Sequence, residues 1–318
     1  MMKKKYALKQ KNTLNKTAYP SNKATVLEWI RFFARKLAGS GLSFDNGMQN
    51  PYHEAEYLTA FAFSIPMESL DSCLHSLPPA DARQRMERII DQRMIQRLPA
   101  AYITREAFFA GHRFQVDSRV LIPRSRIENL FDDQNGFTAL GSMPEAPLFL
   151  DLCTGSGCLA VALALAFPRA RVHASDHSPD ALAVARLNIE HFALGDRVQL
   201  FDADLFSGLP PVRYDLIVTN PPYVSKATMD ALPMEYRHEP AMALDGGGEG
   251  LDLVGRIIRQ AADFLSPEGV LICEVGDEGE ETIMRVWPDF PGEWIYFHFG
   301  ASGVFSLDRS AFPQKVLI

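Results

Sequence analysis

The apolar positions of this chain change period partway along it. Val26, Ile30, Phe33 and Leu37 recur at helical spacing, and Gly39 and Gly41 end the pattern. Two more helical stretches are predicted near Tyr52–Phe63 and Ala80–Arg97. In the second, Ala82, Met86 and Ile89 face inward, and Arg83, Arg85, Arg88, Arg93 and Arg97 face outward. Asp81, Glu87 and Asp91 are interleaved with those arginines, so a solvated face is expected ahead of an RNA- or protein-binding one. Residues 25–98 are therefore expected to form a small helical domain.

Strand-like segments follow. Ala107–Phe109 and Arg113–Val116 flank Gly111-His112, a hairpin signal, and Val120-Leu121-Ile122 runs into Pro123. Residues 99–125 are expected to be a β-hairpin connector, and Asp132–Pro147 a loop. From Leu148 strands and helices alternate. Strands are predicted at Leu148–Leu152, Arg171–Ser175, Val198–Phe201, Asp215–Thr219 and Val270–Val275, and helices at Gly157–Phe167, after Ser178-Pro179, and at Leu253–Leu265. That alternation predicts an α/β fold, a doubly wound parallel sheet covered on both faces, over residues 126–318. Trp294–Phe299 and Val304–Leu307 are separated only by Gly300–Gly303, which predicts a terminal antiparallel hairpin at the sheet edge.

Composition changes this picture little. The 318 residues are 47% hydrophobic and 22% charged with a formal charge of −7, an ordinary globular balance that implies no blanket affinity for nucleic acid. Charge is nevertheless uneven: residues 1–23 carry seven lysines and no acid, which leaves −14 on the remainder. Residues 1–24 are expected to be a basic flexible tail, open to contact with ribosomal RNA or an assembling ribosome. The longest apolar stretch, Cys158–Phe167, is too short to cross a bilayer, and the start has no secretory signal. Four cysteines without CxxC or zinc spacing point to reduced thiols, no metal and a cytoplasmic location.

Candidate chemistry gathers at the strand ends. The first strand runs into Asp151-Leu152-Cys153-Thr154-Gly155-Ser156-Gly157 and opens a helix, where glycines admit a ligand to the backbone. Ala160 suits a dinucleotide fingerprint as well, so the turn alone does not separate NAD from another nucleoside ligand. Asp176 ends the second strand, where a carboxylate can accept both ribose hydroxyls. Asp204, rather than Asp202, is placed to accept from an adenine amine, next to Leu205. The fourth strand runs straight into Asn220-Pro221-Pro222-Tyr223.

That last motif has a chemical logic. An amide or exocyclic amine is a poor nucleophile because its lone pair is delocalised. The Asn220 side-chain oxygen and the Pro221 carbonyl can accept both N–H bonds and aim the lone pair at an electrophilic carbon. The two prolines stiffen the turn, and Tyr223 offers a flat face to a planar group.

Together these motifs resemble S-adenosylmethionine-dependent methyltransferases acting on planar nitrogens. With the helical domain, Pro99-Ala100-Ala101-Tyr102-Ile103, Phe114-x-Val116-Asp117 and Val120-Leu121-Ile122-Pro123-Arg124, the chain looks like a member of the HemK family of protein N(5)-glutamine methyltransferases. Pro123-Arg124-Ser125, Cys153–Gly157, Glu235-Tyr236-Arg237-His238-Glu239-Pro240 and Gly303-Val304-Phe305 resemble the PrmB-type branch, which methylates ribosomal protein L-3.

The resemblance implies a seven-stranded Rossmann-like sheet, a substrate-recognising helical domain and the cofactor S-adenosylmethionine. It places the cofactor at Asp151, Cys153, Thr154, Gly155, Ser156, Gly157, Asp176, Asp204, Leu205 and Asn220. The amide falls to Asn220, Pro221, Pro222 and Tyr223, with Arg124, Arg237, His238 and Glu239 on loops that close over the substrate. The implied partner is ribosomal protein L-3, with a release factor as the alternative and adenine or guanine in nucleic acid behind it. A non-enzymatic ribosome assembly factor and an NAD oxidoreductase are weaker rivals. The chain departs from the expected P-R-S-P-I-G-E-L at Arg126 and Asn129, and His177 stands where an apolar residue is usual, which leaves that loop's contacts open.

Overall fold

Thr25 starts the first helix, α1 (Val26–Ala38), with a reciprocal cap: its hydroxyl accepts from the Glu28 N–H, and its own N–H donates to Glu28 Oε2 at 2.7 Å. Helix α2 (Pro51–Phe63) is capped by Asn50 with proline in its first turn, and α3 spans Ala82–Ile90. The computed structural model describes residues 19–21, 23–45, 48, 50–131, 143–297, 303–312 and 318. Most of the basic tail, most of the Asp132–Pro147 loop and nearly all of the Gly300–Gly303 link lie outside the described residues.

The chain divides into two compact units. One runs to Arg105 and takes in Pro233–His238; the other comprises Glu106–Leu232 and Glu239–Ile318.

In the first unit, Trp29, Ile30, Phe33, Leu58, Phe63 and Met86 form the core. Each such side chain contributes about 1.5–3 kcal/mol when taken out of water. The arginine row departs from expectation. Helix α3 gives way at Asp91 to a π turn, Asp91–Ile95, and Arg93 is buried instead of facing outward. Its Nε donates to Glu54 Oε1 at 2.5 Å and its Nη2 to the Ser43 carbonyl at 2.6 Å. Its Nη1 lies 3.6 Å from Glu235 Oε1, and Arg97 Nη2 is 2.8 Å from the same oxygen. Two buried carboxylates thus offset two guanidinium groups, a pairing invisible to a local charge pattern because Glu54 is 39 positions from Arg93. The other arginines follow the surface reading more closely: Arg83 pairs with Glu87, and Arg85 with Asp81.

The second unit opens with an antiparallel hairpin, β1 (Glu106–Phe109) and β2 (His112–Gln115). Its turn is Ala110-Gly111, both left-handed (φ 48° and 73°), one residue earlier than expected, so His112 belongs to the strand. Val120–Ile122 forms no strand. Val120 and Ile122 are buried, but Val120 N–H closes a turn onto the Asp117 carbonyl, so the apolar run packs without a ladder.

The main sheet has seven strands in the order β5-β4-β3-β6-β7-β9-β8. They are β3 (Leu148–Leu152), β4 (Arg171–Asp176), β5 (Val198–Asp202), β6 (Tyr214–Thr219), β7 (Leu265–Glu274), β8 (Glu293–Trp294) and β9 (Val304–Asp308). The first five are parallel, whereas β9 runs antiparallel between β7 and β8. The terminal antiparallel pair stands at the edge as expected, and among the described residues its first strand is Glu293–Trp294. Helices α4 (Cys158–Ala166), α5 (Pro179–His191), α6 (Asp252–Phe264) and α7 (Gly276–Val286) complete the unit. Separate cores on the two sheet faces, one around Phe149 and Val172 and the other around Ile217 and Leu271, show that both are covered. Helix α7 and the short helices Ala100–Thr104 and Lys226–Ala231 were not expected. Among the described residues no helix is long and apolar enough to cross a membrane.

Candidate active site

The order of the sheet reverses at β3, with β4 on one side and β6 on the other, so a crevice opens beyond their carboxyl ends. A cavity of about 310 Å³ lies there. Its lining includes Cys153 and Gly155 after β3, Asp176 at the end of β4 and His177 after it, Asp204 and Leu205 after β5, and Asn220 and Pro222 after β6. Residues far apart in the chain meet because parallel strands all end on one side.

The glycine turn is built from beneath. Asp151 is fully buried; its Oδ2 accepts from Thr154 Oγ1 at 2.6 Å and from the Ala160 N–H at 3.0 Å. Burial pushes its carboxyl up to about 7 against the pull of those donors. Asp151, Thr154, Ser156 and Gly157 are absent from the cavity wall and shape the turn instead. Gly157 admits α5, since a Cβ there would stand 3.2 Å from Ala185 Cβ. Asn188 of α5 braces the same turn and the hairpin, donating to the Ser156 and Gln115 carbonyls and accepting from the Gln115 N–H at 2.8–3.0 Å.

Asp176 accepts from the Gly155 N–H and the Ser178 N–H at 2.9 Å each, one per oxygen, which leaves further lone pairs for a ligand. Burial raises its carboxyl against those bonds. Asp204 is paired with Arg256, whose Nη2 is 2.9 Å from both of its oxygens.

Asn220 holds the most informative atom. Its Oδ1 is buried and has no hydrogen-bond partner, an unusual condition for an amide oxygen. Tyr223 is half-buried, and its phenol donates to Glu274 Oε1 at 2.9 Å. Burial first, and the adjacent Glu274 carboxylate second, raise that phenol well above its ordinary value. Glu274 Oε2 accepts from Ser125 Oγ at 2.6 Å and the Arg126 N–H at 2.9 Å. Arg126, where a proline was expected, therefore supplies an N–H that proline lacks, and its guanidinium takes two bonds to Asp277.

The remaining substrate candidates are engaged elsewhere. Arg124 grips Glu239 with two bonds of 3.0 and 2.9 Å, and the Glu239 side chain is fully buried. His238 belongs to the helical unit and bonds the Gln96 carbonyl. Sequence reasoning missed Glu274, Arg256 and the glycines around Tyr223. An acid ending the fifth strand and the run Gly246-Gly247-Gly248-Glu249-Gly250 were available signals. Cβ atoms at Gly246 and Gly276 would stand 2.6 Å from the Tyr223 Cα and 2.8 Å from its ring.

The implied S-adenosylmethionine suits this wall. The Gly155 Cβ position is open, the carboxylates of Asp176 and Asp204 flank the cavity, and an unsatisfied acceptor stands beside it.

The family model "Methyltransferase small domain" matches residues 138–249. A ribosomal protein uL3 glutamine methyltransferase from Bordetella pertussis is 44% identical over 275 residues, covering 85% of this chain and 90% of that one. One from Burkholderia pseudomallei is 40% identical over 305 residues, covering 93% of this chain and 98% of that one. A third, from Neisseria gonorrhoeae, is 40% identical over 90% of this chain and 94% of its own. Likeness of that extent covers the helical unit as well as the sheet, and the chain belongs to the family of the ribosomal protein uL3 glutamine methyltransferases.

Proposed function

We propose that this protein methylates the side-chain amide nitrogen of a glutamine in ribosomal protein uL3, using S-adenosylmethionine. The observation that carries the chemistry is the unpartnered Asn220 oxygen at the cavity wall. The substrate follows from the relatives, which bear that activity in their names.

S-adenosylmethionine, when bound, supplies an electrophilic methyl group on a good leaving group. Cys153, Gly155, Asp176, Asp204 and Leu205 line the space that would hold it. Asn220 Oδ1 accepts one amide N–H of the glutamine, and the Pro221 carbonyl accepts the other. Both draw negative charge toward the nitrogen and orient its lone pair. The rigid prolines keep the acceptors in place, so positioning supplies most of the rate. Tyr223 presents its ring to the planar amide. No protein base is needed, because the proton acidified by methylation leaves to water.

Donors left unpaired in a dry site cost about 1–3 kcal/mol each, so Asn220→Ala should lower kcat roughly tenfold to a hundredfold and spare cofactor affinity. The test is transfer of labelled methyl to purified uL3, a release factor and ribosomal RNA in parallel, with Asn220→Ala as the control. Label in uL3 alone supports the proposal. Label in the release factor would keep the chemistry and change the substrate; label in RNA, or wild-type turnover by Asn220→Ala, would overturn it.

A further inference from the structure

We propose that Glu274 is a positioning residue for methyl transfer, acting on the substrate only through Tyr223; this rests on the function proposed above.

The Tyr223 phenol has a single hydrogen, and it is committed to Glu274 Oε1 at 2.9 Å. The ring is therefore unable to donate to a substrate from its edge while that bond stands, and its contribution lies in where its face is held. Glu274 is well suited to hold it. It is 2% exposed and sits at the last position of β7, an interior strand between β6 and β9, and its second oxygen takes two donors, Ser125 Oγ and Arg126 N–H. Three donors hold the carboxylate in place, and burial keeps it from acting as a base on substrate. Gly276 also stands close to the ring, where a Cβ would be 2.8 Å from Tyr223 Cε2. The ring is held at its hydroxyl by a fixed acceptor and packed along its Cδ2–Cε2 edge by bare backbone, so tilting out of place is opposed.

Arg126 extends the clasp. Its N–H reaches Glu274 while its guanidinium binds Asp277 at 2.5 and 2.8 Å, which ties the Ser125-Arg126 segment to the first turn of α7. The order of action runs from the Ser125-Arg126 segment to Glu274, then to the Tyr223 ring, then to the amide.

A double-mutant cycle tests this. Glu274→Gln is expected to lower kcat about tenfold while KM for uL3 and Kd for S-adenosylmethionine move less than about threefold, and Tyr223→Phe is expected to do the same. In the Tyr223→Phe background, Glu274→Gln should have little further effect on kcat. If Glu274→Gln keeps wild-type kcat, or lowers kcat by the same factor in both backgrounds, the proposal is wrong. Should Glu274→Gln fail to fold, Ser125→Ala takes its place in the cycle, with a smaller loss expected and the same overturning outcomes. A readout independent of activity is the ionisation of the Tyr223 phenol followed at ¹³Cζ in labelled protein, which should move to lower pH in Glu274→Gln because the carboxylate bonded to it is gone. An unmoved ionisation would overturn the proposal. Failure of the wild-type protein to label uL3 would overturn the functional reading instead, and the phenol measurement would still decide whether Glu274 holds Tyr223.

Discussion

Arg256 Nη2 lies 2.9 Å from each carboxylate oxygen of Asp204, and both residues line the cavity. Both side chains are about half exposed, so the pair itself contributes only about 0–1 kcal/mol to folding. Its value lies in aiming Asp204. Arg256→Ala is expected to leave Tm nearly unchanged and to weaken S-adenosylmethionine binding several-fold, measured by calorimetry. A Tm loss of many degrees with unaltered affinity would contradict this.

Asn220 Oδ1 is buried and takes no hydrogen bond from another described residue. Removing a group of that kind relieves about 1–3 kcal/mol. Asn220→Ala should therefore lose activity and yet melt about 2–4 °C higher by calorimetry. A lower Tm would show that the oxygen has a partner in solution.

Asp151 sets a pH dependence. Its carboxyl is raised from 3.8 to about 7 in the folded chain, chiefly by burial. A raised acid favours folding below its unfolded value, and that contribution is lost as pH climbs from about 4 to 7. The full loss is roughly 4 kcal/mol at most. Asp151→Asn should gain stability relative to wild type across that interval and hold a constant difference above it. Urea titrations at pH 4 to 8 check this, and parallel curves would refute it.

Glu235 closes the buried cluster of Arg93, Arg97 and Glu54. Truncating one partner of a buried ion pair costs about 3–5 kcal/mol because it strands the other. Glu235→Ala should shift the urea midpoint reported by Trp29, which lies in the helical core. An unchanged midpoint would mean that water reaches the cluster.

The periodic parts of the fold were legible because their signals are local. Ser178-Pro179 caps α5 as written, and β3 through β7 follow their apolar runs. What escaped depends on distant partners or on backbone form. Arg93 reads as a surface residue until Glu54 and Glu235 are brought beside it. Val120–Ile122 has strand composition and no strand to pair with. Ala110 takes a left-handed turn position that glycine usually fills, with its N–H held by Glu128 Oε1 at 2.6 Å. In the site, Cys153, Gly155, Asp176, Asp204 and Asn220 were readable from strand ends, and all five line one cavity. Glu274 also ends a strand, but what it holds was not legible, since its partners Ser125 and Tyr223 are 149 and 51 positions away.

Pro233–His238 is part of the helical unit although the chain on both sides of it belongs to the other. During synthesis, Arg93 and Arg97 leave the ribosome long before Glu235 does. At about 5–20 residues per second, some 140 residues of separation correspond to roughly 7–28 seconds in which the helical unit lacks its last carboxylate. The helical unit is thus not complete when Arg105 has emerged, and its completion is timed by translation of the segment that follows the Asn220 turn.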